Sequence, residues 1–520
     1  MALRPLLALA VLAGLLLAGC GQRIQDPVDG GGATLPKTPG TAGLFHLANG
    51  QLVAAPAGAV AALGGAYHIG LDATEPTIGA DPKGAVYMTA TAPGGARSGG
   101  GPTVVRSTDK GQTWANVGPK LPTGTATHPT SFDPYVYVDP LTGRVYMDDL
   151  LPVSCSFLSW SDDQGATWTT NPYACGNTNV NDHQTIGTAK PRLAPALPLY
   201  PNVLYFCSNN VYNTACATSL DGGLTFTPQR PAYPGGEAPA EGNDCQPSAD
   251  GAGNCVCGGL SGHVKGGPDG KAYLPKGQCG FASVAVSADD GLTWTVHTID
   301  TQHRMTDHEV SVAVDEANTV HATWPAADGF LYYSFSKDGG ATWSPALNVT
   351  APGVTGIEFN AVAAGAPGKV AFAYIGTTIP GGYKGKPSGE GGLVGDIVGE
   401  PDPPEWADAT WNAYIGVLTN ATSDAPVLQT VTANDPSDPL ARGLCGHTRC
   451  HGMNDFIDLT IDAEGRPWGA FVDVCTETCV TDPTVHWDTS EGLVATLREG
   501  PALRGTAAAL APLLPQAKAP

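Results

Sequence analysis

Carboxylates stand just ahead of a series of recurring apolar strand patterns in this chain. Glu75 precedes Pro-Thr-Ile-Gly, Asp133 precedes Pro-Tyr-Val-Tyr-Val, and Asp182 with His183 precedes Gln-Thr-Ile. Asp307, His308 and Glu309 precede Val-Ser-Val, Glu358 precedes Phe-Asn-Ala-Val, and Asp455 precedes Phe-Ile-Asp-Leu. Carboxylates gathered from separate strands raise one another's pKa, hold a cation, or are relieved by Arg and Lys. Hard oxygen ligands would suit Ca2+, although no calcium-loop pattern accompanies them. A carboxylate at a strand start can also cap backbone N–H groups, a role that needs no ligand. His183 and His308 each follow an Asp, either as proton carriers near neutral pH or as rings packed against that Asp. Asp133, Asp182, His183, Asp307, His308 and Glu309 are therefore the candidate catalytic groups. A second constellation is Cys445-Gly-His-Thr-Arg-Cys-His-Gly-Met-Asn-Asp455. A small disulfide loop there would present His447, Arg449, His451 and Asp455 as candidate ligand-binding residues. Their spacing favours no metal, and no cofactor motif occurs in the chain.

The first forty residues say where such chemistry would take place. Arg4 is followed by a continuous apolar run from Leu6 to Ala18. A positive start, a short apolar stretch and small residues read as an export signal too short to span a bilayer. Leu17-Ala18-Gly19-Cys20 resembles the lipobox of bacterial lipoproteins. That resemblance implies cleavage after residue 19, a lipidated (palmitate-bearing) Cys20, and a protein held at the cell envelope outside the cytoplasm. Each buried methylene of the lipid adds about 0.8 kcal/mol of membrane affinity. Residues 20–40 then read as a flexible tether rich in Gly, Pro, Asp and Thr.

The 13 cysteines less Cys20 leave an even 12. Export makes disulfides the natural use of them. Close spacing suggests Cys155 with Cys175, Cys207 with Cys216, Cys445 with Cys450, and Cys475 with Cys479. Cys245, Cys255, Cys257 and Cys279 would make two more bridges, with a zinc site as the poorer-spaced alternative. The formal charge of −22, from 48 acidic and 26 basic side chains, argues against nucleic acid as a partner.

The elements that must position the acids announce themselves by repetition. An octapeptide Ser-x-Asp-x-Gly-x-Thr-Trp/Phe starts at Ser107, Ser161, Ser219, Ser287 and Ser336. Its Asp109, Asp163, Asp221, Asp289 and Asp338 can accept backbone N–H bonds across a turn, and its Gly allows positive φ. Alternating apolar residues before each copy have the period of a strand. A looser repeat of strand, Asp/Gly turn and strand precedes the boxes and recurs from Ile357 and Asn454 without one. Seven such units run from about 75 to 497.

These octapeptides resemble the Asp boxes, or BNR repeats, of sialidases and related β-propellers. The resemblance implies an all-β propeller over 41–500. We expect seven four-stranded blades, with six or eight as neighbouring counts, and residues 41–74 available as a closing strand. It also implies that the five box aspartates are scaffold, on the face away from the channel mouth where the innermost strands begin. The tail 501–520 would be a covering segment or disorder. Sialidases further use an Asp acid/base, a Tyr nucleophile paired with Glu, and three Arg that clamp a carboxylate. Here Arg192, Arg304, Arg442 and Arg449 remain for a clamp and Tyr333 and Tyr414 for the tyrosine, but the family's N-terminal Arg segment is missing. The expected function is binding of an extracellular glycan or protein at the mouth, with an exo-sialidase-like glycoside hydrolase as the alternative.

Overall fold

Almost every ordered segment is an antiparallel strand. The computed structural model describes residues 43–48, 51–54, 62–91, 101–119, 133–151, 155–172, 181–193, 199–209, 214–233, 246–247, 255–256, 260–306, 309–379, 409–443, 453 and 455–516. Seven four-stranded meanders follow one another. Blade 1 is Ile78–Ala80, Val86–Thr91, Pro102–Ser107 and Ala115–Asn116. Blade 2 is Tyr135–Val138, Val145–Leu151, Cys155–Ser161 and Thr169–Asn171. Blade 3 is Asp182–Ala189, Val203–Asn209, Thr214–Ser219 and Arg230–Pro231. Blade 4 is Lys265–Gly266, Ala272–Gln278, Phe281–Ser287 and Thr295–Thr298. Blade 5 is Ser311–Val314, Val320–Pro325, Leu331–Ser336 and Leu347–Asn348. Blade 6 is Gly356–Ala364, Val370–Thr377, Thr410–Thr419 and Val427–Thr432. Blade 7 takes Asp458–Ile461, Pro467–Asp473 and Glu491–Glu499 from the C-terminal part and its outermost strand, Leu63–His68, from the N-terminal part.

The first strand of each blade touches the first strands of both neighbours, and the circuit closes from blade 7 to blade 1. This is a seven-bladed propeller with one axial channel. Leu63–His68 closes the ring by pairing with Glu491–Glu499, which satisfies an edge that would otherwise be open. The hairpin Gly43–Ala48/Gln51–Ala54 adds two further strands to the outer edge of blade 6.

Each blade is covered on both faces, so its strands are apolar on both faces. Tyr146, Leu158, Ile186, Leu204 and Phe206 fill the space between blades 2 and 3. Tyr205, Cys207, Val264, Leu274 and Ala285 fill the next.

The Asp boxes join third and fourth strands. In blade 4 the Ser287 hydroxyl donates to Asp289 Oδ1 (3.0 Å) and accepts from Gly291 N (2.9 Å). Asp289 then accepts from Thr293 N (2.9 Å) and Thr293 Oγ1 (2.6 Å). Asp109, Asp163, Asp221 and Asp338 accept the same pair of bonds from Thr113, Thr167, Thr225 and Thr342. These turns share a face with the first-to-second-strand turns. Arg144 pairs with Asp162 (2.7 Å) and donates to Gly222 O, and Arg192 donates to Ala288 O and Asp269 O.

Residues 501–516 cover part of that face. Leu503 N donates to Gly465 O and Ala366 N to Leu503 O, while Tyr67 donates to Leu514 O. The fully buried Arg466 donates to the carbonyls of Leu497 and Ala511. The tail is thus a packed lid on blades 6 and 7. Disulfides Cys207–Cys216 and Cys475–Cys479 are formed, and Cys279 is also disulfide-bonded. The side chains of Cys155, Cys175, Cys445 and Cys450, like Cys20, lie outside the described residues.

Candidate functional site at the channel mouth

The repeat fixes an entry position on each innermost strand. In four blades, two residues after it, a side-chain oxygen accepts a backbone N–H from the next blade. Thr77 accepts from Val136, Thr185 from Val264, Ser311 from Val362 and Asp458 from Ile78. Counting back makes Glu75, Asp133, His183, Ser261, Glu309, Phe359 and Phe456 equivalent around the ring. By position the equivalent of His183 in blade 5 is Glu309. Glu75, His183 and Phe359 hold φ of 46°, 53° and 49°. Positive φ costs a non-glycine residue of order 1–3 kcal/mol, and such outliers cluster at functional positions.

These residues meet across the channel. His183 Nε2 of blade 3 lies 2.6 Å from Glu309 Oε1 of blade 5. His183 Nδ1 lies 2.8 Å from the Ser261 carbonyl, which can only accept, so Nδ1 carries hydrogen. The contact to Glu309 then needs one shared proton, held by Glu309 or completing an imidazolium. Burial pushes the Glu309 carboxyl well above its ordinary range, and the charges of Asp455 and Asp458 push it further. Burial thus favours the protonated form of Glu309 at this contact.

A second group crosses from blade 4 to blade 7. His263 Nδ1 is 3.4 Å from Asp458 Oδ1, and Lys265 Nζ is 3.8 Å from the same oxygen. Burial alone would raise the Asp458 carboxyl, but Lys265, His263 and the Ile78 amide outweigh it and hold it low. Burial holds His263 below its ordinary value. Phe456 stands edge-on to both His183 and His263, with centroids 5.0 Å away, and Tyr135 meets His263 edge-on at 4.9 Å. The mouth thus has a floor of two imidazoles, two aromatic rings, a carboxyl held high, a carboxyl held low and a lysine. Behind it, Asp148 is fully buried with neither carboxyl oxygen hydrogen-bonded, and burial, then Asp149, pushes its pKa well up.

The sequence candidates distribute unevenly. Asp133 binds the His183 amide through Oδ2 (3.0 Å), and its carbonyl accepts from Gln184 Nε2. Glu75 accepts from Asp455 N (3.2 Å), so Glu75 and Asp455 tie blade 1 to blade 7. Asp182 is only half-buried and pairs in register with Asn209 at the strand start. Glu358 is buried at a β-bulge of blade 6. Asp307, His308, His447, Arg449 and His451 lie outside the described residues.

The arginine expectation needs correction. Arg192 is on the Asp-box face, bonded to Ala288 and Asp269, because it sits in a first-to-second-strand turn. Arg442 donates to Cys479 O and Val480 O, and Arg304 lies over the Phe281 ring at 5.3 Å. Tyr333 is buried against His321 Nδ1 (2.8 Å), and Tyr414 stacks on Tyr374 at 5.1 Å, so both are core. Among the described residues no three arginines converge at the mouth, and no group of three His, Cys, Asp or Glu has the geometry to hold a metal.

No family model and no curated protein matches this chain. Among solved structures it is similar to a protein of unknown function from Dyadobacter fermentans, at 14% identity over 85% of this chain and 100% of that one, TM-score 0.40. It is similar to the NanB sialidase of Streptococcus pneumoniae at 12% identity, over 82% of this chain and 70% of that one, TM-score 0.39. The intramolecular trans-sialidase of Ruminococcus gnavus gives 13% identity over 82% and 96%, TM-score 0.37. These likenesses are loose, and the seven-bladed ring stands on its own strand pairing.

Proposed function

We propose that this chain is an extracytoplasmic, lipid-anchored propeller that binds an extracellular glycan at the channel mouth. The observation that carries the reading is the floor built by His183, Glu309, His263, Asp458, Lys265, Phe456 and Tyr135. Flat aromatic edges beside dense donors and acceptors suit a polyhydroxylated ring, which presents apolar C–H faces and hydroxyls together. The anchor rests on Leu17-Ala18-Gly19-Cys20 and the apolar run before it. A glycan array probed with the full chain in detergent tests the reading, with the Glu309→Gln variant as control. Binding that Glu309→Gln weakens supports it. Binding to no glycan, or equal binding by both forms, sinks it.

A second reading has its own observation. Burial raises the Glu309 carboxyl while Lys265 and His263 hold the Asp458 carboxyl low, and carboxyl groups driven apart in this way are the mark of an acid and base pair. Glycoside hydrolysis needs one of each. In that case Glu309 would protonate the leaving oxygen, and Asp458 would activate water or stabilise the cation. Sugar release from a panel of sialylated and neutral glycosides, abolished in Glu309→Gln and in Asp458→Asn, would favour hydrolysis. Binding without release would leave the lectin-like reading.

A further inference from the structure

Just outward of His183, between blades 3 and 4, lie buried side-chain donors that have no partner among the described residues. Lys276 is 4% exposed at the mouth end of its strand, and its amine stands 5.4 Å from the Tyr233 ring centre. Among the described residues no carboxylate or hydrogen-bond acceptor pairs with that ammonium. Ser261, bridged to Lys276 across the strand edge, is fully buried, and its hydroxyl has no partner. Its carbonyl is the one that faces His183 Nδ1. From blade 3, Asn209 accepts from Thr214 Oγ1 at 2.7 Å, which leaves its Nδ2 as a buried donor without a partner. Thr214 O in turn accepts from Tyr233 N at 3.3 Å. Cys207 and Leu274 belong to one buried cluster between the two blades. Asn209 and Lys276 lie two residues further along the same strands, on the same faces.

A buried cation beside a hydroxyl and an amide N–H that are both free to donate complements an oxyanion. An unpaired buried charge is expensive, and among the described residues it meets the face of Tyr233. Burial pushes the Lys276 amine down to about 8, so it still carries its charge at neutral pH. Elsewhere the chain is strongly acidic, with a formal charge of −22, and Lys265 is already committed to Asp458.

We propose that Lys276, Ser261 and Asn209 form an oxyanion subsite that takes the carboxylate, sulfate or phosphate group of a ligand seated at the mouth. The proposal rests on the reading of the mouth as the ligand-binding face and adds that the ligand is acidic. Calorimetric titration of the full chain in detergent with sodium acetate, sodium sulfate and glucuronate, at pH 7 and fixed ionic strength in chloride, tests it. The wild type binds the simple anions weakly and glucuronate more tightly. Lys276→Met loses at least tenfold in affinity for all three, Asn209→Ala loses severalfold, and the exposed control Lys190→Met is unchanged. Lys276→Arg keeps the charge and retains binding, which preserves the test where Lys276→Met does not fold. Equal affinities of wild type and a folded Lys276→Met overturn the subsite. Glucuronate binding untouched by Lys276→Met likewise removes the subsite but keeps the glycan reading. Acetate binding lost in Lys276→Met, with glucuronate no tighter than acetate, keeps the subsite and removes the glycan reading.

Discussion

At the residue scale, the unit that sets the chemistry of the mouth is the contact between Glu309 and His183. A carboxyl whose folded pKa is raised favours the folded state below its unfolded value near 4.3 and loses that contribution as pH rises through the folded value. Gln cannot ionise and keeps an N–H to offer Nε2. The stability of Glu309→Gln relative to wild type should therefore climb between about pH 4.3 and neutrality, by at most about 1.4 kcal/mol per pH unit. Denaturant melts of both proteins across that range measure it, and a difference that stays flat contradicts the protonated assignment. Glu309, His183 and Asp133 were readable in sequence because each stands just before an innermost strand. His263, Lys265, Phe456 and Asp458 were not. They lie on or beyond the entry position, and their importance comes from partners across the channel, three blades distant, which no local pattern encodes. Lys276 was hidden for a related reason. It sits on a second strand, and only the blade packing shows it buried with no carboxylate partner among the described residues.

At the element scale, the Asp box holds a hairpin and nothing more. In Asp289 burial works against ionisation, but the bonds from Thr293 Oγ1, Thr293 N and Ser287 win and hold the carboxyl low. Asp289→Ala should cost about 1 kcal/mol, since the turn is largely exposed and its bonds exchange with water, and should leave ligand binding unchanged. Chemical denaturation beside a binding assay checks both halves. The same depressed carboxyls, Asp109, Asp163, Asp221 and Asp338 included, stabilise the fold above the unfolded value near 3.9. That stability disappears as pH falls through their folded values. The boxes were legible to the residue because a turn is a local solution with fixed demands, positive φ at Gly291 among them. The ring closure was only half legible. Leu63–His68 has no box beside it, and its place on blade 7 depends on Tyr67 packing against Trp468, centroids 6.3 Å apart. Tyr67→Ala empties that buried site and frees the tail's Leu514 anchor, at a cost of about 3–5 kcal/mol in a thermal or denaturant melt.

At the scale of the whole molecule, the ring turns seven weak local repeats into one polar floor facing a single mouth. The Asp-box face is covered over blades 6 and 7 by residues 501–516, and the proposed ligand site lies on the opposite face. If Cys20 carries lipid, Cys20→Ser should move the protein from the membrane fraction to the soluble one without altering its melt. Fractionation of cells expressing each form reads this directly. The central claim is that the mouth, and not the box face, meets the ligand. The most direct test is the affinity of wild type, Glu309→Gln and Asp289→Ala for the glycan that binds best on an array. The account predicts a loss of tenfold or more in Glu309→Gln and none in Asp289→Ala. A loss confined to Asp289→Ala, with Glu309→Gln binding like the wild type, would contradict it.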